Sequence, residues 1–115
     1  AAADCGLSLR FNVDQLPCFS LWKNTQAEAD GYVTGLEPAT NFPNLKTFER
    51  EQRRVVTLAP GDSYTTALEI AVHKTVAEVG EVVSQIETLQ REVEPVIHAT
   101  PQALFSPVDR RISLF

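Results

Sequence analysis

The sequence predicts a mainly β chain with one amphipathic helix toward its C-terminal end. Apolar and polar residues alternate over 7–13 and 64–72, which is the period of half-buried strands. The Pro60-Gly61 pair between two predicted strands favours a hairpin, and therefore an antiparallel arrangement. From residue 75 onward, apolar residues recur every three or four positions, as in a helix that buries one face.

The length and composition fit one small domain, or part of a larger one, and the sequence shows no internal domain boundary. The chain has 115 residues, of which 43% are hydrophobic and 22% charged, ordinary values for a folded domain. The formal charge of −5 argues against nucleic acid as a partner, because a phosphate backbone selects a basic surface. No apolar run approaches the ~20 residues of a membrane span. We therefore expect neither a nucleic-acid nor a membrane partner.

Turn formers divide the predicted strand region, about 7–73, into five strands. Asp14 to Pro17 is a predicted turn, and the third strand must end near Glu37 because Pro38 cannot donate to a sheet. Residues 46–54 carry six charges with little periodicity, so we expect an exposed connection there. The predicted strands cover 7–13, 18–22, 32–36, 55–58 and 64–72.

The predicted helix covers about 75–93 and is expected to pack on the sheet. Thr75 is a suitable N-cap, and Glu78 follows at the spacing of a capping box. Pro95 ends the helical region. The tail, 95–115, is expected to run extended over the surface, with a last short strand at 112–115.

Two cysteines are too few for a disulfide scaffold or a zinc site. Cys5 and Cys18 are expected to be reduced thiols in a cytoplasmic protein; one disulfide across a hairpin is the alternative. The first residues lack the basic and apolar regions of a signal peptide. The sequence does not begin with methionine, which favours a processed product or a fragment.

Residues 31–44 are the segment that points to chemistry. Val33, Gly35 and Glu37 share one strand face, and Gly35 leaves space beside the carboxylate. Pro38 then fixes the loop that follows. This arrangement suits a general base presented at the mouth of a sheet. The alternative is a solvated glutamate at a strand end.

Several short motifs resemble the galactose mutarotase-like superfamily, which includes aldose 1-epimerases and hexose-6-phosphate mutarotases. Leu36-Glu37-Pro38-Ala39 is similar to the hexose-phosphate type, and Phe42-Pro43 to the aldose epimerase type. Asn44 stands where an aspartate is common in that superfamily. The resemblance covers residues 4–73 of this chain and is strongest to a bacterial branch of the superfamily. In proteins of that superfamily, the similar region is only the C-terminal third.

The resemblance implies a β-sandwich, or supersandwich, of which this chain is the C-terminal portion. It implies that Glu37 is the general base and that a histidine upstream is the acid, without metal or organic cofactor. Neither His73 nor His98 matches a position of that histidine, and both are expected to be ordinary surface or capping residues. This chain alone is therefore expected to be inactive. Its exposed strands would pair with the missing N-terminal portion or with a second copy.

Five further residues are candidates for substrate binding. An aromatic ring such as that of Trp22 can stack on a sugar, and Lys23 can meet an anionic group such as a phosphate. Asn24 adjoins them, while Asn41 and Asn44 could donate to hydroxyl groups. The alternatives are core packing for Trp22, a solvated charge for Lys23, and Asx turns for the loop asparagines.

A second possible anion site lies in the charged connection. Arg50, Arg53 and Arg54 form a basic cluster there, and a phosphate site is conceivable. Glu49 and Glu51 lie between these arginines and partly neutralise them.

Three functions follow from these residues. The first is an aldose 1-epimerase-like isomerase that acts on a sugar or sugar phosphate. The second is a non-catalytic carbohydrate-binding module. The third is a structural or oligomerisation segment, in which case Glu37 would be exposed with no pocket around it.

Overall fold

A computed structural model describes residues 4–108, which form four strands, two α-helices and one short 3-10 helix. The strands make two two-stranded sheets. Antiparallel strands with one long helix are compatible with the predicted mainly β fold. The elements are β1 (Gly6–Phe11), β2 (Cys18–Lys23), the 3-10 helix (Glu28–Asp30), β3 (Thr34–Ala39), α1 (Lys46–Glu51), β4 (Leu68–His73) and α2 (Val76–Gln90).

The chain divides into two compact units. The first contains the described residues up to Arg10 together with Leu68–Ala99, and so holds most of β1 with β4 and α2. The second contains Phe11–Ala67 and the described residues from Thr100 onward, with β2, β3 and α1. The sequence-based expectation of an undivided unit did not foresee this division.

In the first unit, β1 pairs with β4 and α2 contacts β1. A Cβ on Gly6 would meet the Val79 side chain at 3.4 Å, so α2 passes close to β1 there. Arg10 donates to Gln85 Oε1 at 3.3 Å. No residue of α2 is buried, however. The helix therefore contacts the sheet as predicted, but its apolar stripe remains largely exposed.

The start of α2 is as predicted. The Thr75 hydroxyl accepts a hydrogen bond from the Glu78 N–H at 3.3 Å, which satisfies one of the free donors of the first turn. The Glu78 carboxylate accepts from the Lys74 N–H at 2.6 Å, one residue before the cap. The helix ends at Gln90, three residues before the predicted end.

In the second unit, β2 and β3 pair antiparallel over their full lengths. Cys18 lies opposite Ala39 at one end, and Lys23 lies opposite Thr34 at the other. Phe19 stacks on Phe11 with 5.9 Å between ring centroids. Leu16 and Cys18 are the buried hydrophobic side chains among the described residues. The core of this unit therefore lies where the 14–17 turn meets the first residue of β2.

The third strand runs further than predicted. The prediction ended it near Glu37, but β3 continues through Pro38, which lies opposite Phe19, to Ala39. In a two-stranded sheet, each strand has an unpaired edge. A proline is tolerated in a strand when its missing N–H faces such an edge.

The predicted strand at 55–58 and its hairpin with 64–72 are wrong. Neither 55–58 nor 62–67 is a strand. The Pro60-Gly61 turn does form, because the Asp62 N–H donates to the Ala59 carbonyl at 3.0 Å. Gly61 has φ 91°, the left-handed value that a type II turn requires at its third residue. Type II turns splay their flanking strands, whereas the primed turns of tight hairpins match the strand twist.

The last predicted strand is present only in its second half, as β4. The first half contacts the 14–17 turn instead of a neighbouring strand. The Tyr64 hydroxyl donates to the Gln15 carbonyl, and the Ala67 N–H donates to Gln15 Oε1 at 3.3 Å. The second contact occupies the Ala67 N–H, a backbone donor that a strand ladder would need.

The charged stretch predicted as an exposed connection contains a helix. Residues 46–51 form α1, and Glu49 at its centre has no exposed surface.

Both cysteines are free thiols, in agreement with the expectation of reduced residues. Over residues 4–108, no helix combines the length and hydropathy needed to cross a bilayer. The predicted strand at 112–115 lies outside the described residues.

Candidate functional site

The β2–β3 register brings Glu37 and Trp22 to the same sheet face. Ser20 lies opposite Glu37, and Trp22 lies opposite Gly35. Directly opposed residues point to the same side of a sheet, and so do residues two apart along a strand. Ser20, Trp22, Gly35 and Glu37 therefore form one surface, which we call the Glu37 face.

The missing side chain of Gly35 determines where the Glu37 carboxylate lies. A Cβ at position 35 would stand 2.6 Å from Glu37 Oε1, closer than two such atoms can approach. The carboxylate therefore folds back along β3 into the space above Gly35. Since Trp22 lies opposite Gly35, this places the acidic group beside the strand position that carries the indole.

The Glu37 face is open to solvent. Glu37 is exposed, and Trp22 is 51% exposed. Glu37 lines neither of two clefts in the described chain, one between β1 and α2 and one beside the 14–17 turn. The carboxylate is thus presented on an accessible sheet surface.

Lys23 and Asn24 are separated from the Glu37 face. Lys23 lies opposite Thr34 and alternation places it on the other side of the sheet. Asn24 Oδ1 accepts from the Gln26 N–H at 3.0 Å, and its amide donates to Gln26 Oε1 at 3.3 Å. Its side chain thus shapes the turn after β2.

The two loop asparagines make internal contacts. Asn41 donates to the Phe42 carbonyl at 2.7 Å. Asn44 donates to Glu49 Oε1 at 2.8 Å and to the Phe105 carbonyl at 3.1 Å. Both amide hydrogens of Asn44 are therefore committed within the protein, which fits the loop-fixing alternative and leaves only its side-chain oxygen for a ligand.

A buried carboxylate holds the loop that follows Glu37. Glu49 accepts from the Phe42 N–H at 3.2 Å and from the Asn44 amide. Arg54 adds two parallel bonds, at 2.7 Å from Nε and 2.9 Å from Nη2. We call Phe42, Asn44, Glu49 and Arg54 the Glu49 clamp. It fixes the loop beginning three residues after Glu37 against α1.

The end of α1 explains why Arg54 reaches Glu49. The Arg54 N–H donates to the Glu49 carbonyl, and the Arg53 N–H donates to the Arg50 carbonyl, both at 3.0 Å. This is a Schellman motif, which normally has glycine at its left-handed position. Here Arg53 occupies that position with φ 60°, at a cost of about 1 kcal/mol. The motif turns the chain so that Arg54 folds back onto the helix.

The clamp is electrostatically strong. Hydrogen bonds from Arg54, and also from Asn44 and Phe42, together lower the pKa of Glu49 to about 2 against the opposing effect of burial. The same pairing raises the pKa of Arg54. Glu49 is therefore an ionised, fully partnered group at neutral pH and not an available acid or base.

Aromatic rings and the C-terminal segment enclose the clamp. The Arg54 guanidinium lies 5.3 Å from the Phe42 ring centroid and 5.8 Å from that of Phe48. Phe105 packs edge-on against Phe42 at 5.6 Å, and the Leu104 carbonyl accepts from Arg54 at 2.9 Å. Stacking of this kind favours arginine over lysine.

From the sequence, Glu49 is expected to be a solvated charge that partly neutralises the basic cluster, and this expectation is wrong because Glu49 is buried. The signal that could have revealed it is helical spacing, because Leu45, Phe48, Glu49 and Gln52 share one helical face. A glycine is the usual sequence signal for the end of a helix. Position 53 carries arginine instead, so the sequence does not mark where α1 ends. The Arg54 guanidinium is bound to Glu49, so it is not available to the phosphate site that the sequence predicted at the basic cluster.

Both histidines belong to the first unit, whereas Glu37 belongs to the second. In the first unit, the His73 ring nitrogen Nε2 lies 2.8 Å from the Ser8 hydroxyl. His98 is exposed. Over residues 4–108, no three histidine, cysteine or acidic side chains are grouped so as to hold a metal ion. Burial raises the pKa of the Cys18 thiol, which disfavours the reactive thiolate.

Comparison with known families gives one match. Residues 1–72 match the family described as Domain of unknown function (DUF4432). The chain belongs to the DUF4432 family. The matched region of this DUF4432 chain includes the Glu37 face and the Glu49 clamp. No curated protein and no solved structure matches the chain significantly.

Proposed function

We propose that this chain is part of a carbohydrate-active domain that interconverts sugar anomers, with Glu37 as the general base. The domain would be a galactose mutarotase-like β-sandwich acting in the cytoplasm on a sugar or sugar phosphate, without a cofactor. The observation that carries the proposal is the position of the Glu37 carboxylate, held above Gly35 on the face that carries Trp22.

The chemistry needs a base beside the anomeric hydroxyl and an acid beside the ring oxygen. Glu37 would take the hydroxyl proton while the acid protonates the ring oxygen. The bond from the anomeric carbon to the ring oxygen then breaks, and the resulting aldehyde rotates before the ring closes again. Trp22 would hold the apolar face of the sugar, as aromatic side chains do at carbohydrate surfaces.

The Glu49 clamp supports this assignment. It holds the loop after Glu37 through two hydrogen bonds to one fully buried carboxylate, which accepts two more from Arg54. A base must stay within hydrogen-bond reach of its proton, and a fixed loop directly after the strand limits its movement.

Asn41, in the same loop, is a secondary candidate for a substrate contact. Lys23 lies on the other side of the sheet and Asn24 is bonded to Gln26, so neither would contact a sugar on the Glu37 face.

The acid would come from another part of the protein or from a second copy. His73 is engaged with Ser8 and His98 is exposed. Each strand of the β2–β3 sheet has a free edge, and free edges favour pairing with further strands. A segment of that partner packed on the open Glu37 face would form the remaining wall of a pocket.

The exposure of Glu37 favours a second candidate, a carbohydrate-binding module without catalysis. An exposed indole and a carboxylate on one sheet face are sufficient to bind a sugar through stacking and hydrogen bonds. The same exposure is what a structural or oligomerisation segment would show. Catalysis requires the acid in addition, and binding does not.

Replacing Glu37 by glutamine in the full-length protein should lower the rate of anomer interconversion by roughly 10²–10⁴-fold, the usual contribution of a general base. The neutral amide keeps the shape of the side chain but cannot accept the proton. Polarimetry with freshly dissolved aldoses and sugar phosphates measures the rate. Circular dichroism checks that the fold is unchanged.

Glu28→Gln is the matched control, because it makes the same change at an exposed residue of the 3-10 helix. It should leave the rate unchanged. An equal rate in wild type and Glu37→Gln contradicts the catalytic proposal. Saturable sugar binding by calorimetry with no anomer interconversion supports the binding module, and absence of both supports the structural segment.

A further inference from the structure

A small cleft opens in the second unit beside the 14–17 turn. Its volume is about 230 Å³, below the ~300 Å³ at which pockets for larger organic ligands begin. Polar groups come from Asp14, Thr40, Arg53 and Tyr64, and Pro17 and Val55 supply apolar wall. The space therefore suits a ligand of only a few carbon atoms.

The two arginines at this cleft differ in how many guanidinium donors they have available for a ligand. Arg54 gives its donors to Glu49 and to the Leu104 carbonyl. Among residues 4–108, by contrast, no hydrogen bond or ion pair engages the Arg53 guanidinium. With respect to the described residues, Arg53 therefore keeps five donors and an unpaired positive charge at the cleft wall.

The backbone at Arg53 gives an independent reason to assign this side chain a role. Position 53 is the left-handed residue of the Schellman motif, with φ 60°. Glycine adopts this conformation without strain, and an arginine does not. Strained residues that retain a side chain are concentrated at ligand sites, so the outlier points to a use for the guanidinium.

The remaining polar groups at the cleft offer hydrogen-bond acceptors. The Tyr64 hydroxyl donates to the Gln15 carbonyl, and the Thr40 hydroxyl donates to Asn41 Oδ1 at 3.4 Å. Their oxygens are left to accept, as is the Asp14 carboxylate. A ligand that pairs with all of these groups must carry an anionic group for Arg53 and hydroxyl donors for these oxygens.

We propose that this cleft binds a small hydroxylated oxyanion, a hydroxy-carboxylate or a hydroxylated phosphate ester. Arg53 holds the anionic group, since a guanidinium pairs with either through two parallel hydrogen bonds. Asp14, Thr40 and Tyr64 accept from the hydroxyl groups. Glu37 does not line the cleft, so this site stands independently of the proposed sugar chemistry.

Arg53→Gly is the test, because glycine removes the guanidinium and suits the left-handed backbone. Isothermal titration calorimetry with glycerate and with glycerol 3-phosphate separates the two anion chemistries. Acetate and inorganic phosphate, which carry no carbon-bound hydroxyl, test the acceptor groups. We expect wild type to bind one hydroxylated anion at least tenfold more tightly than its simple counterpart. Arg53→Gly should weaken that binding at least tenfold while its melting temperature stays equal or rises.

Arg50→Ala is the matched control, since it removes the same charge from the exposed surface of α1. It should change the affinity less than twofold. The proposal is overturned if wild type binds neither hydroxylated anion. It is also overturned if Arg53→Gly binds as tightly as wild type, or if Arg50→Ala loses as much affinity.

Discussion

The two α-helices differ in what makes them form. α2 has fifteen residues, a side-chain N-cap and a regular apolar spacing, yet none of its residues is buried. α1 has six residues and no side-chain N-cap, yet it contains the fully buried Glu49. Local sequence signals account for the long helix. The short helix depends on contacts with distant parts of the chain, because isolated helices of this length are unstable.

This difference shows where the stability of the second unit lies. A single carboxylate joins α1, the loop after Glu37 and Arg54, while Arg54 also binds the Leu104 carbonyl. Removing one partner from a buried ion pair leaves an unpaired charge, which is far more costly than losing a surface contact. The stability of α1 should therefore depend on one residue, and that of α2 on many small contributions.

Replacing Glu49 by glutamine should give the largest effect on folding, a loss of about 3–5 kcal/mol in the free energy of unfolding. Glutamine keeps the volume but leaves the Arg54 charge without its partner. Urea denaturation followed by circular dichroism measures the change. Glu51→Gln, at an exposed position of the same helix, should change stability by less than about 0.5 kcal/mol.

The pH dependence of the same unfolding free energy provides a second readout for Glu49. Its pKa is lowered from 4.5 to about 2 in the folded protein, so its contribution is complete above pH 4.5. That contribution falls as the pH drops from 4.5 toward 2, by about 3 kcal/mol in all. The wild type should lose this stability in acid and Glu49→Gln should not. Parallel pH profiles for the two proteins would show that the carboxylate is not held as described.

The smallest effect is expected at α2. Thr75→Ala removes the cap on the Glu78 N–H and should cost about 1 kcal/mol. Thr88→Ala is the control, because its hydroxyl only bonds back to the Ser84 carbonyl within the helix, and alanine favours helix interiors. Equal losses from both variants would indicate that capping does not determine where α2 begins.

The elements that could be predicted are those with strong local signals. β1, β2 and α2 follow from alternation, helical spacing and the Thr75 cap, and each lies within a few residues of its predicted position. The candidate face could be predicted in part. That Gly35 leaves space beside Glu37 follows from strand alternation, whereas the position of Trp22 on the same face requires the register between β2 and β3.

The elements that could not be predicted depend on non-local contacts or on turn geometry. Arg53 occupies a glycine position, so the end of α1 has no sequence signal. The failure of the predicted hairpin depends on the type II geometry at Pro60-Gly61, which the dipeptide alone does not specify. Gln15 then accepts from the Ala67 N–H, which the longer strand would have used for pairing, and from the Tyr64 hydroxyl.

The central claim is that a sugar contacts the protein on the Glu37 face. Trp22 is the single tryptophan of this chain and lies on that face, so its fluorescence reports on the claim directly. Titration with aldoses and sugar phosphates should change its emission saturably. Gly35→Ala, whose methyl group would displace the Glu37 carboxylate, should weaken the response, and Gly80→Ala, which meets nothing within 4 Å, should not. Emission that stays constant at every sugar concentration would contradict the account.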